Sequence, residues 1–75
     1  MKEADVTNRV RHARDCLGIT QQELARRVGV TRQTIGLIER GKYNPTVRLA
    51  LMLGAELGEG IERLFWLADD SAGKR

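Results

Sequence analysis

Residues Val30–Glu39 read VTRQTIGLIE, and the reading of this stretch decides how the rest of the chain is organised. Thr31 has the short side-chain oxygen that caps a helix, and Val30 and Ile35 stand where a hydrophobic staple would fix the entering chain. With about 3.6 residues per turn, Ile35 and Ile38 share one face with Thr34 at its edge, whereas Arg32, Gln33, Gly36, Leu37 and Arg40 fall on the other. The first face suits a core. The second places a guanidinium and a carboxamide at the helix tip, groups able to form paired hydrogen bonds with planar base edges. A plain solvated face has the same composition, so the neighbouring segments must decide between the two readings.

Upstream, Thr20–Glu23 reads TQQE, a capping box with Ile19 and Leu24 as its staple, so another helix starts there. Leu24, Ala25 and Val28 form its apolar stripe, and Gly29 supplies a left-handed residue at its end. Only Gly29, Val30 and Thr31 separate the two helices. Two short helices joined by about three residues that include a glycine make a helix-turn-helix.

The remaining elements are read from the same signals. A first helix is expected to be capped by Asp5 or Thr7, to bury Val6, Val10, Ala13 and Leu17, and to stop at Gly18. Past Arg40, Gly41 terminates the third helix, and Lys42, Tyr43 and Asn44 form a polar loop. Either Asn44 with Pro45 at the first helical position, or Thr46, caps a fourth helix whose Val47, Ala50, Leu53 and Leu57 recur at helical spacing. Leu49, Leu51 and Met52 widen that stripe. Gly58 ends it, and Gly60 opens a weaker fifth helix through Ile61, Leu64 and Phe65, with Trp66 and Leu67 following. Residues 1–4 are expected to fray and residues 68–75 to form a disordered tail, which leaves one domain over residues 5–67.

Composition agrees with an all-α fold. The 75 residues, 41% of them hydrophobic, can build one small core, and with a single Phe, Trp, Tyr and Pro the chain favours helix over sheet. The net charge of +3 is uneven: residues 1–48 hold ten Lys/Arg against five Asp/Glu, and the remainder hold three against five. A basic front fits a polyanionic partner, though many inert surfaces share such a bias. Cys16 and His12 are the only residues of their types, read as a partly buried thiol and a surface imidazole. With no carboxylate cluster beside them, they give no material for an enzyme, metal or cofactor site. No stretch approaches the roughly 20 apolar residues needed to cross a bilayer. The expected setting is the cytoplasm, in association with the nucleoid.

The segment LGITQQELARRVGVTRQTIGLIERGKYNP, from Leu17 to Pro45, resembles the helix-turn-helix domain of the phage repressor and Cro family, also called the XRE family. The resemblance extends over residues 8–67. It is carried by the joint spacing of Gln21, Glu23, Leu24, Ala25, Gly29, Val30, Ile35, Glu39, Gly41 and Pro45. It implies a five-helix, lambda-repressor-like domain whose third helix lies in the major groove of double-stranded DNA. Carried over residue by residue, Arg32 and Gln33 match base-reading positions at the tip of that helix. Leu37 matches a secondary base contact, able to touch a thymine methyl but not a polar base edge. Gln21, Thr31, Lys42 and Asn44 match phosphate contacts.

Other family positions read as structural. Arg14 and Glu39 match a pair that ties the first helix to the third, and Gly36 either permits close packing or is merely tolerated. Glu59 and Gly60 stand where many relatives have an apolar residue and a Ser or Asp, which weakens the staple and cap of the fifth helix. Met52 and Gly54 replace positions often polar and Ala. Together with Phe65, Trp66 and Leu67 they suggest a subunit contact, with packing of Leu64 and Phe65 into the core as the competing fate. The implied function is a sequence-specific regulator, a repressor acting as a homodimer on a palindromic operator. The alternative is an antitoxin-like or other helical module that binds a protein such as a toxin.

Overall fold

Threonines open three helices of this chain and glycines close them. Thr20, Thr31 and Thr46 take extended backbone, and each hydroxyl accepts from the N–H three residues on, at 3.0, 3.2 and 3.1 Å. The computed structural model describes residues 5–68. The caps define α2 (Gln21–Val28), α3 (Arg32–Glu39) and α4 (Val47–Leu57), with α1 (Val10–Leu17) before them and a single turn, α5 (Ile61–Leu64), after. Thr46, rather than Asn44, is therefore the cap of α4. Gly41 closes α3 at φ 74°, where the N–H of Gly41 reaches Ile38 O and that of Lys42 reaches Leu37 O. This is the six-to-one, five-to-two pairing that satisfies the last carbonyls of a helix.

The first expected helix begins late. Asp5–Asn8 is a strand, β1, and Phe65–Ala68 is a second, β2, paired antiparallel in the register Asp5↔Ala68, Val6↔Leu67, Thr7↔Trp66 and Asn8↔Phe65. Over the described residues the fold is thus mostly helical, with five helices and a two-stranded sheet, which corrects the all-α expectation. Neither Asp5 nor Thr7 caps α1. Arg9 holds the N-cap position without a side-chain cap bond, and Asn8 satisfies the first helical N–H from the strand end, its Oδ1 accepting from Val10 N at 3.0 Å while its Nδ2 donates to Ile38 O at 2.9 Å. At the other end the helical pattern stops at Leu64, because Phe65 turns to φ −132°, ψ 136° and enters the ladder. Ala68, read as the start of the tail, belongs to β2; residues 1–4 and 69–75 lie outside the described residues.

The core gathers Val10 and Ala13 of α1, Leu24, Ala25 and Val28 of α2, Ile35 and Ile38 of α3, Leu53 and Leu57 of α4, and Leu64. Ile19 and Val30, the two staple residues, pack against it, as do Leu49, Met52 and Phe65. Val6, expected in the core, is only half-buried in β1, and two expected helical core positions are exposed: Leu17 is 52% exposed at the end of α1, and Val47 is 71% exposed at the start of α4. Each sits in a terminal turn, where a helix leaves its packing partner. Cys16 is exposed rather than partly buried. Gly54 is buried in α4, and the chain after the helix folds over it, so Met52 and Gly54 do not form the bare apolar surface expected there.

Candidate nucleic-acid interface

The turn from Gly29 to Thr31 sets α3 against α2 so that the first residues of the two helices meet. Gln21 opens α2, Arg32 opens α3, and the Arg32 Nη1 donates to Gln21 Oε1 at 3.3 Å. Each helix start leaves its first N–H groups without intrahelical acceptors and carries partial positive charge. Thr20 and Thr31 occupy the N–H groups of Glu23 and Thr34, so the amides of residues 21, 22, 32 and 33 are the donors this local architecture leaves at the shared end. Such an end suits phosphate oxygens.

Thr31, Arg32 and Gln33 are exposed at this tip, Gln21 is half-buried, and Leu37 is half-buried one turn beyond Gln33. The structure therefore brings five of the seven candidate site residues together. Lys42 and Asn44 are exposed on the loop beyond the opposite end of α3, and no hydrogen bond among the described residues joins them to the tip. The N–H of Lys42 is already engaged with Leu37 O at 2.8 Å, so only its side chain is left for an anion.

Behind the tip lies a charged assembly. Glu39, at the end of α3, has a side chain only 4% exposed and receives Arg14 from α1 as a two-point ion pair: Nε to Oε2 at 2.8 Å and Nη2 to Oε1 at 3.3 Å. Arg14 Nη1 also donates to Ile19 O at 2.9 Å, anchoring the residue before the α2 cap. The Glu39 hydrogen bond holds the Arg14 proton more firmly than usual, against a smaller opposing effect of burial. The expected tie between first and third helices is present. What sequence reasoning did not find is its extension: Gln21 Nε2 donates to Glu39 Oε1 at 3.0 Å, so the pair reaches α2 as well.

Arg40 is a second feature missed from sequence. It reaches back over Gly36, its Nη1 3.3 Å from where a Cβ would stand, and with Arg11, Arg14, Gln21 and Glu39 lines a polar cleft beside the tip. Gly36 is buried beneath that side chain and the Gln21 amide, but a Cβ there would meet only these two side-chain ends, at 3.3 and 3.7 Å, which favours the reading of a tolerated glycine over one that packing requires. The only sequence signal for the cleft was the placement of Arg40 on the polar face of α3, four residues past Gly36.

The capping box at α2 is half made. Thr20 receives the Glu23 N–H, but the Glu23 carboxylate turns outward to Arg26, at 2.6 and 3.1 Å, and to Arg27 at 2.8 Å. Hydrogen bonds from Arg26 first, then Arg27, lower the Glu23 pKa to about 2. Arg27 also approaches Glu56 of α4 at 3.9 Å. Two cations of α2 are thereby partly neutralised by their own helix. Among the described residues no group of three His, Cys, Asp or Glu side chains could hold a metal ion, and no helix is long and apolar enough to cross a membrane.

Two short helices crossing at a tight glycine turn, with the second presenting an exposed polar tip, define a helix-turn-helix protein. The helix-turn-helix family model matches residues 10–64, and the chain belongs to this XRE-type family of transcriptional regulators. An uncharacterized HTH-type transcriptional regulator from Methanothermobacter thermautotrophicus is 52% identical over 64 residues, covering 84% of this chain and 93% of its own. The Bacillus subtilis regulator YgzD is 39% identical over 64 residues, covering 85% and 97%. Among solved structures, the restriction-modification controller protein C.AhdI from Aeromonas hydrophila superposes with a TM-score of 0.68 at 31% identity, covering 73% of this chain and 80% of that one. The hypothetical transcription factor NHTF from Neisseria gives 0.69 at 26% identity, covering 88% and 76%.

Proposed function

We propose that this chain is a sequence-specific DNA-binding repressor that engages a palindromic operator as a homodimer, with α3 in the major groove. The observation that carries the reading is the meeting of two helix N-termini at the Gln21–Arg32 contact, with Thr31, Arg32 and Gln33 exposed beside it. Arg32 and Gln33 read base edges and Leu37 makes a secondary contact. Gln21, Thr31, Lys42 and Asn44 hold phosphates. A guanidinium matches the O6 and N7 acceptors of guanine, and a carboxamide matches the donor and acceptor of adenine, each worth about 1–3 kcal/mol of discrimination.

The homodimer reading is supported by apolar side chains that one copy leaves in solvent, including Leu51, Trp66 and Leu67. A two-fold protein places two recognition helices about 34 Å apart on one side of the duplex and so reads a two-fold site. Selection of bound duplexes from a random pool, with the mass of the complex measured alongside, tests the whole reading. The expected result is two inverted half-sites about one helical turn apart and two chains per duplex. Selection of no duplex, with salt-resistant capture of a protein instead, would replace this reading with the protein-binding one.

A further inference from the structure

Gln21 lies between two groups of opposite hydrogen-bonding character. Glu39 offers only acceptors, and Arg32 offers only donors. An amide between them has one orientation that satisfies both: its Nε2 toward Glu39 Oε1, at 3.0 Å, and its Oε1 toward Arg32 Nη1, at 3.3 Å. Turning the amide over would set its NH2 against the guanidinium and its carbonyl against the carboxylate. The orientation is thus fixed by the charge at 39, and that carboxylate is itself fixed, both oxygens being held by Arg14 in a site that excludes most solvent.

We propose that Glu39 is a positioning residue for base reading, acting through Gln21 on Arg32. Glu39 lies seven residues past Arg32, about 10 Å along the helix axis at 1.5 Å per residue, too far to orient it directly. Gln21, from the neighbouring helix, spans the gap. With one Nη1 hydrogen committed to Gln21, Arg32 keeps its Nη2 and Nε edge for a two-point contact, the edge that matches guanine O6 and N7. A long side chain held in its working geometry before binding loses less freedom on contact, so discrimination at that base pair rises without any added contact. Gln21 therefore has a role besides holding phosphate. The inference rests on the DNA-binding reading above, with Arg32 as a base reader.

The test is random-duplex selection with quantitative binding to the selected site and its single-base variants. Three single variants, Glu39→Gln, Gln21→Met and Arg32→Ala, are compared with the Glu39→Gln/Arg32→Ala double variant. Glu39→Gln keeps the shape but provides an amide that bonds Gln21 in either sense, releasing its orientation. It also weakens the hold on Arg14, so binding is measured below the melting range and per active molecule. Gln21→Met leaves the Arg14–Glu39 pair intact and separates positioning from folding.

Both variants are expected to lower preference at the base pair read by Arg32 by roughly three- to tenfold, a fraction of what a full bidentate contact supplies, and to keep the preference at the base pair read by Gln33. In the Arg32→Ala background, Glu39→Gln should lower that preference no further, since coupled residues are not additive. An even loss of affinity across all duplexes with preference intact, in either single variant, overturns the positioning role alone. If the unmodified protein selects no duplex, or Arg32→Ala leaves the base preference unchanged, the base-reading assignment falls and the positioning role with it.

Discussion

Replacing Gly54 with alanine should destabilise the domain, although helix propensity alone favours alanine by about 1 kcal/mol. The reason is steric. A Cβ on residue 54 would stand 2.6 Å from the Glu59 carbonyl oxygen and 3.7 Å from its carbon, and the first distance is well inside van der Waals contact. The obstacle is backbone, not the end of a flexible side chain. It is also tied down: the N–H groups of Gly58 and Glu59 both reach Gly54 O, the second at 2.9 Å, and Gly58 holds φ 72°. Relief requires the α4 cap to open or α4 to shift from α5. Overpacking of this kind costs about 1–3 kcal/mol, and lost cap hydrogen bonds add about 0.5–1.5 kcal/mol each. Set against the propensity gain, and with one cap bond lost, the net loss should be about 0.5–3.5 kcal/mol. For a domain of this size that lowers Tm by roughly 2–28 °C. Far-UV circular dichroism melts at one fixed protein concentration measure it. Gly36→Ala is the control, because its nearest obstacle is the Arg40 guanidinium at 3.3 Å, which can swing aside, so that variant should gain up to about 1 kcal/mol. A Gly54→Ala protein melting at or above the parent refutes the steric argument.

Other outcomes follow from the charged assembly and the tip. Glu39→Ala leaves Arg14 with only the exposed Asp15 carboxylate, 3.4 Å from its Nη1, in a largely closed site and should lower stability by about 3 kcal/mol in denaturant titrations; normal melting with lost DNA binding would contradict this role. Because the Glu23 pKa is lowered on folding, its contribution to stability is fully present above about 4.5 and is lost as pH falls toward about 2. Carbon-detected titration should place its midpoint near 2, and Arg26→Ala should move that midpoint up. Lys42→Ala is expected to weaken all duplexes alike and to reduce the salt slope of binding by about one, while Gln33→Ala relaxes preference at one base pair; Kd measured across salt separates the two. Thr31→Ala removes the α3 cap and should cost about 1 kcal/mol in chemical denaturation.

The part of the fold that was legible in the sequence is the part specified by neighbours in the chain. Thr20, Thr31 and the left-handed glycines at 18, 29, 41 and 58 set helix limits through bonds spanning a few residues, so α2, the turn and α3 could be located from local chemistry. The ribbon was not legible, because each of its strands is four residues long and gains its hydrogen bonds from a segment about 60 positions away. Val6 fits the spacing of α1 as well as it fits a strand, and Phe65 continues α5 by periodicity; only pairing decides. The site divides in the same way. Exposure of Arg32 and Gln33 followed from helical phase, and the Arg14–Glu39 pair from the family pattern. The Gln21 bridge depends on how closely α2 and α3 approach, which no spacing within either helix encodes.

The antiparallel ribbon also joins the two ends of the folded body. Asp5 and Ala68 are ladder partners, so their Cα atoms lie about 4.5–5.5 Å apart. A short linker from one to the other would close the backbone into a ring without disturbing the helices, and the ring could be reopened at the exposed loop of Lys42, Tyr43 and Asn44. The domain is therefore suited to circular permutation, and to insertion as a single cassette into a surface loop of a host protein. Fluorophores fixed at its two ends would report ribbon opening as a change in energy transfer.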